Sequence, residues 1–128
     1  MEITVGMKAA AELNVERADT AAEVGSGSLL VYATPCMVAL MEGAACEAIA
    51  ECLSEDQTTV GIELNIQHTA ATPVGMDVRA EATVTAVEGK VITFELHAFD
   101  EAGEIGCGTH KRCIVNSQRF LDKTYGKL

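Results

Sequence analysis

Three polar side chains have the types and spacing to act on one bond: Thr34, Glu42 and His68. A carboxylate can attack a carbonyl or activate water, an imidazole can move the proton, and a hydroxyl can hold the carboxylate or the carbonyl oxygen. Glu42 lies in residues 34–53, a stretch rich in Ala, Leu and Met, where its neighbours at helical spacing include Val38, Ala39, Ala45 and Cys46. None is polar, so Glu42 is expected to be buried, while Gly43, Glu47, Glu51 and Glu55 mark the solvated side. Burying a carboxylate costs on the order of several kcal/mol unless it is paired or protonated. That pattern fits a structural ion pair as well as a catalytic group.

His68 shifts the balance. In residues 58–69 it shares even parity with Val60, Ile62, Leu64 and Ile66, so it is expected on the core face against which the helix must pack. Alone it reads as a core histidine satisfied by the backbone; with an inward Glu42 it reads as half of an acid/base pair. Thr34, followed by Pro35, is expected to cap the helix, where unpaired N–H groups also suit a developing oxyanion. His97 falls on a polar strand face with Thr93 and Glu95, and His110 shares a partly polar face with Glu104 and Arg112. The cysteines compete poorly as nucleophiles. Cys46 and Cys52 lie within the apolar helix, and Cys107 and Cys113 are expected on the apolar side of the last strand. Cys36, in the first helical turn, is the one thiol whose pKa a helix terminus would lower.

The elements that must position these groups follow from periodicity. Residues 8–16 alternate as a half-buried strand, with Ala9, Ala11, Leu13 and Val15 inward. A short helical turn and a Gly/Ser loop over 18–28 then deliver the chain to the long helix. Four strands follow: 58–69; 76–87, with Met76, Val78, Ala80, Ala82, Val84 and Ala86 inward; 90–99, with Ile92, Phe94, Leu96 and Ala98 inward; and 104–116. Glu88-Gly89 marks a tight hairpin, and Ser117 is a candidate cap for a terminal helix over 118–125. Strand, long apolar helix and antiparallel meander imply an α+β fold in which a broad curved sheet wraps one helix, the hot-dog arrangement. A flat α+β sandwich is the alternative.

Length and composition bound the rest. A chain of 128 residues fits a single domain over 1–128, and with 48% apolar but only 4% aromatic residues its core must be aliphatic. A net charge of −10 argues against nucleic acid and against an anionic membrane surface as partners. Five cysteines without a C-x-x-C pair or clustered His indicate neither a disulfide framework nor a metal site, and fit reduced thiols in a cytoplasmic protein. The N-terminus lacks the pattern of a signal peptide, and Glu42 and Glu47 interrupt the only candidate membrane span.

Two stretches resemble the hot-dog thioesterases of the fluoroacetyl-CoA thioesterase type: Tyr32-Ala-Thr-Pro-Cys-Met-Val-Ala-Leu-Met-Glu-Gly-Ala-Ala and Gly61-Ile-Glu-Leu-Asn-Ile-Gln-His-Thr-Ala-Ala-Thr-Pro-Val-Gly-Met. The run Glu104-Ile-Gly-Cys-Gly-Thr-His-Lys-Arg is similar too, so the likeness covers about residues 32–120. The resemblance implies hydrolysis of an acyl-CoA thioester by a catalytic Thr34, Glu42 and His68, with Gly61 and Arg112 binding substrate, no cofactor beyond the CoA of the substrate, and a homodimer. Selectivity for a fluorinated acyl group is not implied, because this chain has Val24-Gly-Ser-Gly-Ser-Leu-Leu where that enzyme has a Phe-rich segment. Lys111 and Arg112 are candidates for meeting CoA phosphates. A hot-dog dehydratase or hydratase acting on acyl thioesters, and a non-catalytic acyl-CoA binding module, are the rival readings.

Overall fold

The computed structural model describes residues 1–128, and its elements run β1 (Lys8–Asn14), α1 (Ala21–Val24), α2 (Thr34–Ile49), β2 (Gln57–His68), β3 (Asp77–Glu88), β4 (Val91–Asp100), β5 (Gly103–Asn116) and α3 (Ser117–Tyr125). The five strands form one antiparallel sheet in the order β1-β3-β4-β5-β2. Only β3, β4 and β5 make a meander. The chain leaves β2 at one edge, crosses the end of the sheet and re-enters in the middle, so β2 pairs with β5 and not with its successor. Both β1 and β2 are edge strands.

The α2 helix lies across the concave face, where alternation has placed the expected residues. Val78, Ala80, Ala82 and Val84 of β3 and Ile92, Phe94, Leu96 and Ala98 of β4 are buried, and they meet Met37, Met41, Ala44, Ala45 and Ile49 of the helix. Each fully buried Met or Ile contributes about 1.5–3 kcal/mol relative to exposure. The alanine row of β3 lets the helix approach closely. Gly106 of β5 does the same, since a Cβ there would stand 2.6 Å from the Met37 Cε.

Three expectations need correction. The helix proper ends at Ile49, and residues 50–52 continue as a 3-10 turn. Its N-cap is Ala33, so Thr34 is the first helical residue and its hydroxyl does no capping. The α3 cap is Asn116, whose side-chain oxygen accepts from the Arg119 N–H, and Ser117 is already helical.

A fourth correction concerns face assignment on β2 and β5. Register passes from Gly61 opposite Arg112 to Glu63 opposite Lys111, leaving Ile62 as a bulge. One extra residue reverses which parity faces inward. Beyond the bulge, Leu64, Ile66 and His68 share the inner face as expected; before it, Thr59 and Gly61 face inward and Val60 does not. On β5 the inward residues are Gly106, Gly108, His110 and Arg112, opposite inward Ala98, Leu96, Phe94 and Ile92. Cys107 and Cys113 therefore sit on the outer face. A second irregularity between Ala98 and Phe99 puts Glu104 outside as well, 2.8 Å from His97.

Candidate functional site

Two polar clusters lie along α2, eight residues apart and thus about 12 Å along the helix axis. The first surrounds Glu42. Its side chain is 35% exposed, because Val38, Glu42 and Cys46 form the flank of the helix that looks toward β5 and β2. The expectation of full burial was wrong for a geometric reason: all of Glu42's helical neighbours are apolar, but the core takes the stripe one residue earlier, through Met37, Met41 and Ala44.

Glu42 Oε2 accepts a 2.9 Å hydrogen bond from Arg112 Nη1, and Oε1 has no partner. The guanidinium, with its side chain only 8% exposed, donates from Nε to Thr59 Oγ1 and from Nη2 to the Thr59 carbonyl. A buried arginine needs this full set of acceptors. Beside it stands His110, fully buried and stacked on Phe94. Its Nδ1 is 2.8 Å from the Glu63 carbonyl, which can only accept, so Nδ1 carries the proton. Nε2 is then a bare acceptor and takes a hydrogen bond of 3.1 Å from Arg112 Nη1. Burial keeps the imidazole neutral by lowering its pKa; Arg112 adds to this, against the Glu63 carbonyl and Glu42. Arg112 Nη1 thus bridges two acceptors, His110 Nε2 and Glu42 Oε2, that stand 3.8 Å apart and could not bond directly. Gly61 closes the cluster. A Cβ there would fall 2.6 Å from Glu42 Oε2 and 3.3 Å from both Arg112 Nη1 and His110 Cε1.

The second cluster is at the N-terminus of α2. Thr34 Oγ1 and His68 Nδ1 share a hydrogen bond of 2.7 Å, made possible because the hydroxyl is not spent on a cap. Burial lowers the His68 pKa, with the Ala70 backbone pulling weakly the other way, so the ring is neutral at pH 7. Its Nε2 is buried without a partner, and so is the Tyr32 hydroxyl. Both residues line a cleft of about 270 Å³ whose other walls include Ser26, Val31, Ala70 and Ala71. Nearby, burial and the Asp19 carboxylate push the Cys36 pKa up, which disfavours its thiolate.

The structure therefore joins Thr34 to His68, and Glu42 to Gly61 and Arg112, but it does not bring the two groups into contact within one chain. No nitrogen of His68 lies within 4.0 Å of a Glu42 oxygen. Arg112 is turned inward and committed to Thr59 and Glu42, which removes it from phosphates in solvent; Lys111 stands 4.0 Å from Glu63. His97 is a surface residue between Glu95 and Glu104, as expected. His110 is the neighbour of Arg112 and Glu42 that sequence reading missed. Its signal was present in the even-numbered glycines, Gly106 and Gly108, which mark the face the helix approaches and share parity with His110 and Arg112.

Comparisons with known proteins identify the family and the fold. The family described as fluoroacetyl-CoA-specific thioesterase matches residues 15–118. Fluoroacetyl-CoA thioesterase of Streptantibioticus cattleyicolor is 38% identical over 97 residues, 76% of this chain and 70% of that protein. A solved structure of the fluoroacetyl-CoA thioesterase FlK superposes with a TM-score of 0.94 at 30% identity, covering 100% of this chain and 99% of that one. A hot-dog-like protein from Thermanaerovibrio acidaminovorans, at 24% identity, shares the fold with a TM-score of 0.89 over 98% of this chain and 93% of its own.

Proposed function

The chain belongs to the fluoroacetyl-CoA-specific thioesterase family, on the hot-dog fold, and from that footing we propose that it hydrolyses a short-chain acyl-CoA to the free acid and CoA. The observation that carries the chemistry is the state of the Glu42 carboxylate. Arg112 holds Oε2, which fixes the plane of the group, while Oε1 is unpartnered and the side chain remains 35% exposed. Such an oxygen can attack the thioester carbonyl or deprotonate the water that does. Gly61 leaves the carboxylate uncovered so that the substrate can reach it. His68, neutral and held by Thr34, orients the attacking water or takes a proton from it and passes that proton to the leaving thiolate, and its unpartnered Nε2 is the atom available for this. The cleft beside His68, of about 270 Å³, has the size for a short acyl group. Free thiols throughout fit a cytoplasmic enzyme.

Glu42 and His68 meet when two chains pair. The β2 strand is an open edge with Ile62 53% and Leu64 43% exposed, an unstable surface if left uncovered. Antiparallel pairing of β2 with its symmetry mate about a two-fold axis at Asn65 sets Gly61, shifted one place by the Ile62 bulge, opposite the partner subunit's His68. Glu42, Gly61 and Arg112 of one subunit then share a site with the Thr34–His68 pair of the other. The catalytic Thr, Glu and His form one group only in the homodimer.

Glu42→Gln is expected to lower kcat by at least about 100-fold while the far-ultraviolet circular dichroism stays native, and near-wild-type thiol release would refute the assignment. Refolding a mixture of Glu42→Gln and His68→Ala chains tests the shared site. Each inactive homodimer has two damaged sites, but a mixed dimer has one intact site, so about a quarter of wild-type activity returns at equal mixing. No recovery in verified mixed dimers would place both residues in a site within one chain.

A further inference from the structure

We propose that α3 and the turn that follows it form the subsite for the phosphates of CoA, with Arg119 and Lys123 of the helix and Lys127 just past its end as the cations. The inference rests on the acyl-CoA reading above and supplies what that reading lacks. A protein of net charge −10 repels a polyanionic substrate, so its phosphates need local cations. Arg17, Arg79, Lys111 and Arg112 stand against carboxylates and are unavailable. Of the remaining basic side chains, Lys8 and Lys90 are isolated, whereas Arg119 and Lys123 lie four residues apart on one side of α3 and Lys127 follows just past its end, all three exposed and without an acidic partner.

Position and chemistry agree with this use. The α3 helix continues directly from β5, the strand that carries Arg112 to Glu42. Asn116, its N-cap, is four residues past Arg112, about 13 Å along the strand. The basic line therefore begins beyond the reacting end by a span that an extended pantetheine arm can cross. Phe120 and Tyr125, 41% and 65% exposed, flank the basic line and offer rings on which an adenine can lie. The helix leans on the end of β5 and buries none of its side chains, so its face is open to a ligand.

The test compares two thioesters of the same short acyl group, one of CoA and one of pantetheine, in wild type, Arg119→Glu/Lys123→Glu and a control pair, Lys8→Glu/Lys90→Glu, that carries the same charge change elsewhere. The α3 variant is expected to raise KM for the CoA thioester about tenfold and to erase the preference for CoA over pantetheine, while the control keeps that preference. Added salt should raise the wild-type KM for CoA and do so less in the α3 variant. An equal effect of both pairs would assign the loss to net charge and overturn the proposal, as would an unchanged preference. Calorimetric binding of free CoA, 3′-dephospho-CoA and pantetheine to wild type reads the subsite without turnover. Absence of hydrolysis with CoA binding tighter than pantetheine would defeat the thioesterase reading alone, and equal binding of all three would defeat the subsite.

Discussion

The Glu42 carboxylate is held in place by neighbours on one side only, through its Oε2. One Arg112 nitrogen serves His110 and Glu42 together, and His110 can accept from it only because the Glu63 carbonyl fixes the proton on Nδ1. Gly61 belongs to the same argument through what it omits. Gly61→Ala would press a methyl group onto Glu42 Oε2 at 2.6 Å, with Arg112 and His110 each at 3.3 Å, and all three are held by hydrogen bonds or packing. The carboxylate must turn away or break from Arg112. We expect kcat/KM to fall by about 100-fold or more while the far-ultraviolet circular dichroism stays native, and retention of activity would show that the carboxylate has slack.

The bulge at Ile62 is the element on which the site depends. Without it, Gly61 would face outward and an apolar side chain would stand against Glu42. The same strand offers the edge through which two chains can join, so its exposed Leu64 has a predicted cost when changed. Leu64→Glu sets two like charges near the two-fold axis and is expected to yield monomers by light scattering. Thiol release should fall with dimer content, since the Thr34–His68 pair and Glu42 would no longer meet. A fully active monomer would refute the shared site.

For the molecule as a whole, pH acts through histidines with opposing signs. Burial holds His68 and His110 below their ordinary value of 6.5, so the unfolded chain binds more protons than the folded one between their folded pKa values and 6.5. Stability contributed by these two is present above 6.5 and lost as pH falls through that window. His97 works the other way. Burial disfavours its charge, but Glu104 and Glu95 outweigh that and raise its pKa, so its contribution is present below 6.5 and fades as pH rises past its folded value. The thermal midpoint is expected to fall on acidification from pH 7 to 5.5, and more steeply in His97→Asn. A midpoint that rises over that range would contradict the neutral, buried state of the two inward rings.

Much of this protein was legible in its residues. Alternation placed the β3 and β4 core correctly as far as Val84, beyond which a register shift turns Ala86 outward opposite Thr93; the Thr-Pro pair marked where α2 begins, and the motifs around Glu42, His68 and Arg112 pointed to the family. These are local signals, carried by periods of 2 and 3.6 residues and by short runs of chain. What they could not supply was which side of a strand a residue faces after a bulge, or which strand lies next to which. Ile62 shifted Gly61 inward, the pairing of β2 with β5 brought Arg112 and His110 to Glu42, and Ala33 freed the Thr34 hydroxyl for His68. Only the tertiary structure separated Glu42 from His68 within one chain, because that distance is set by how the helix crosses the sheet.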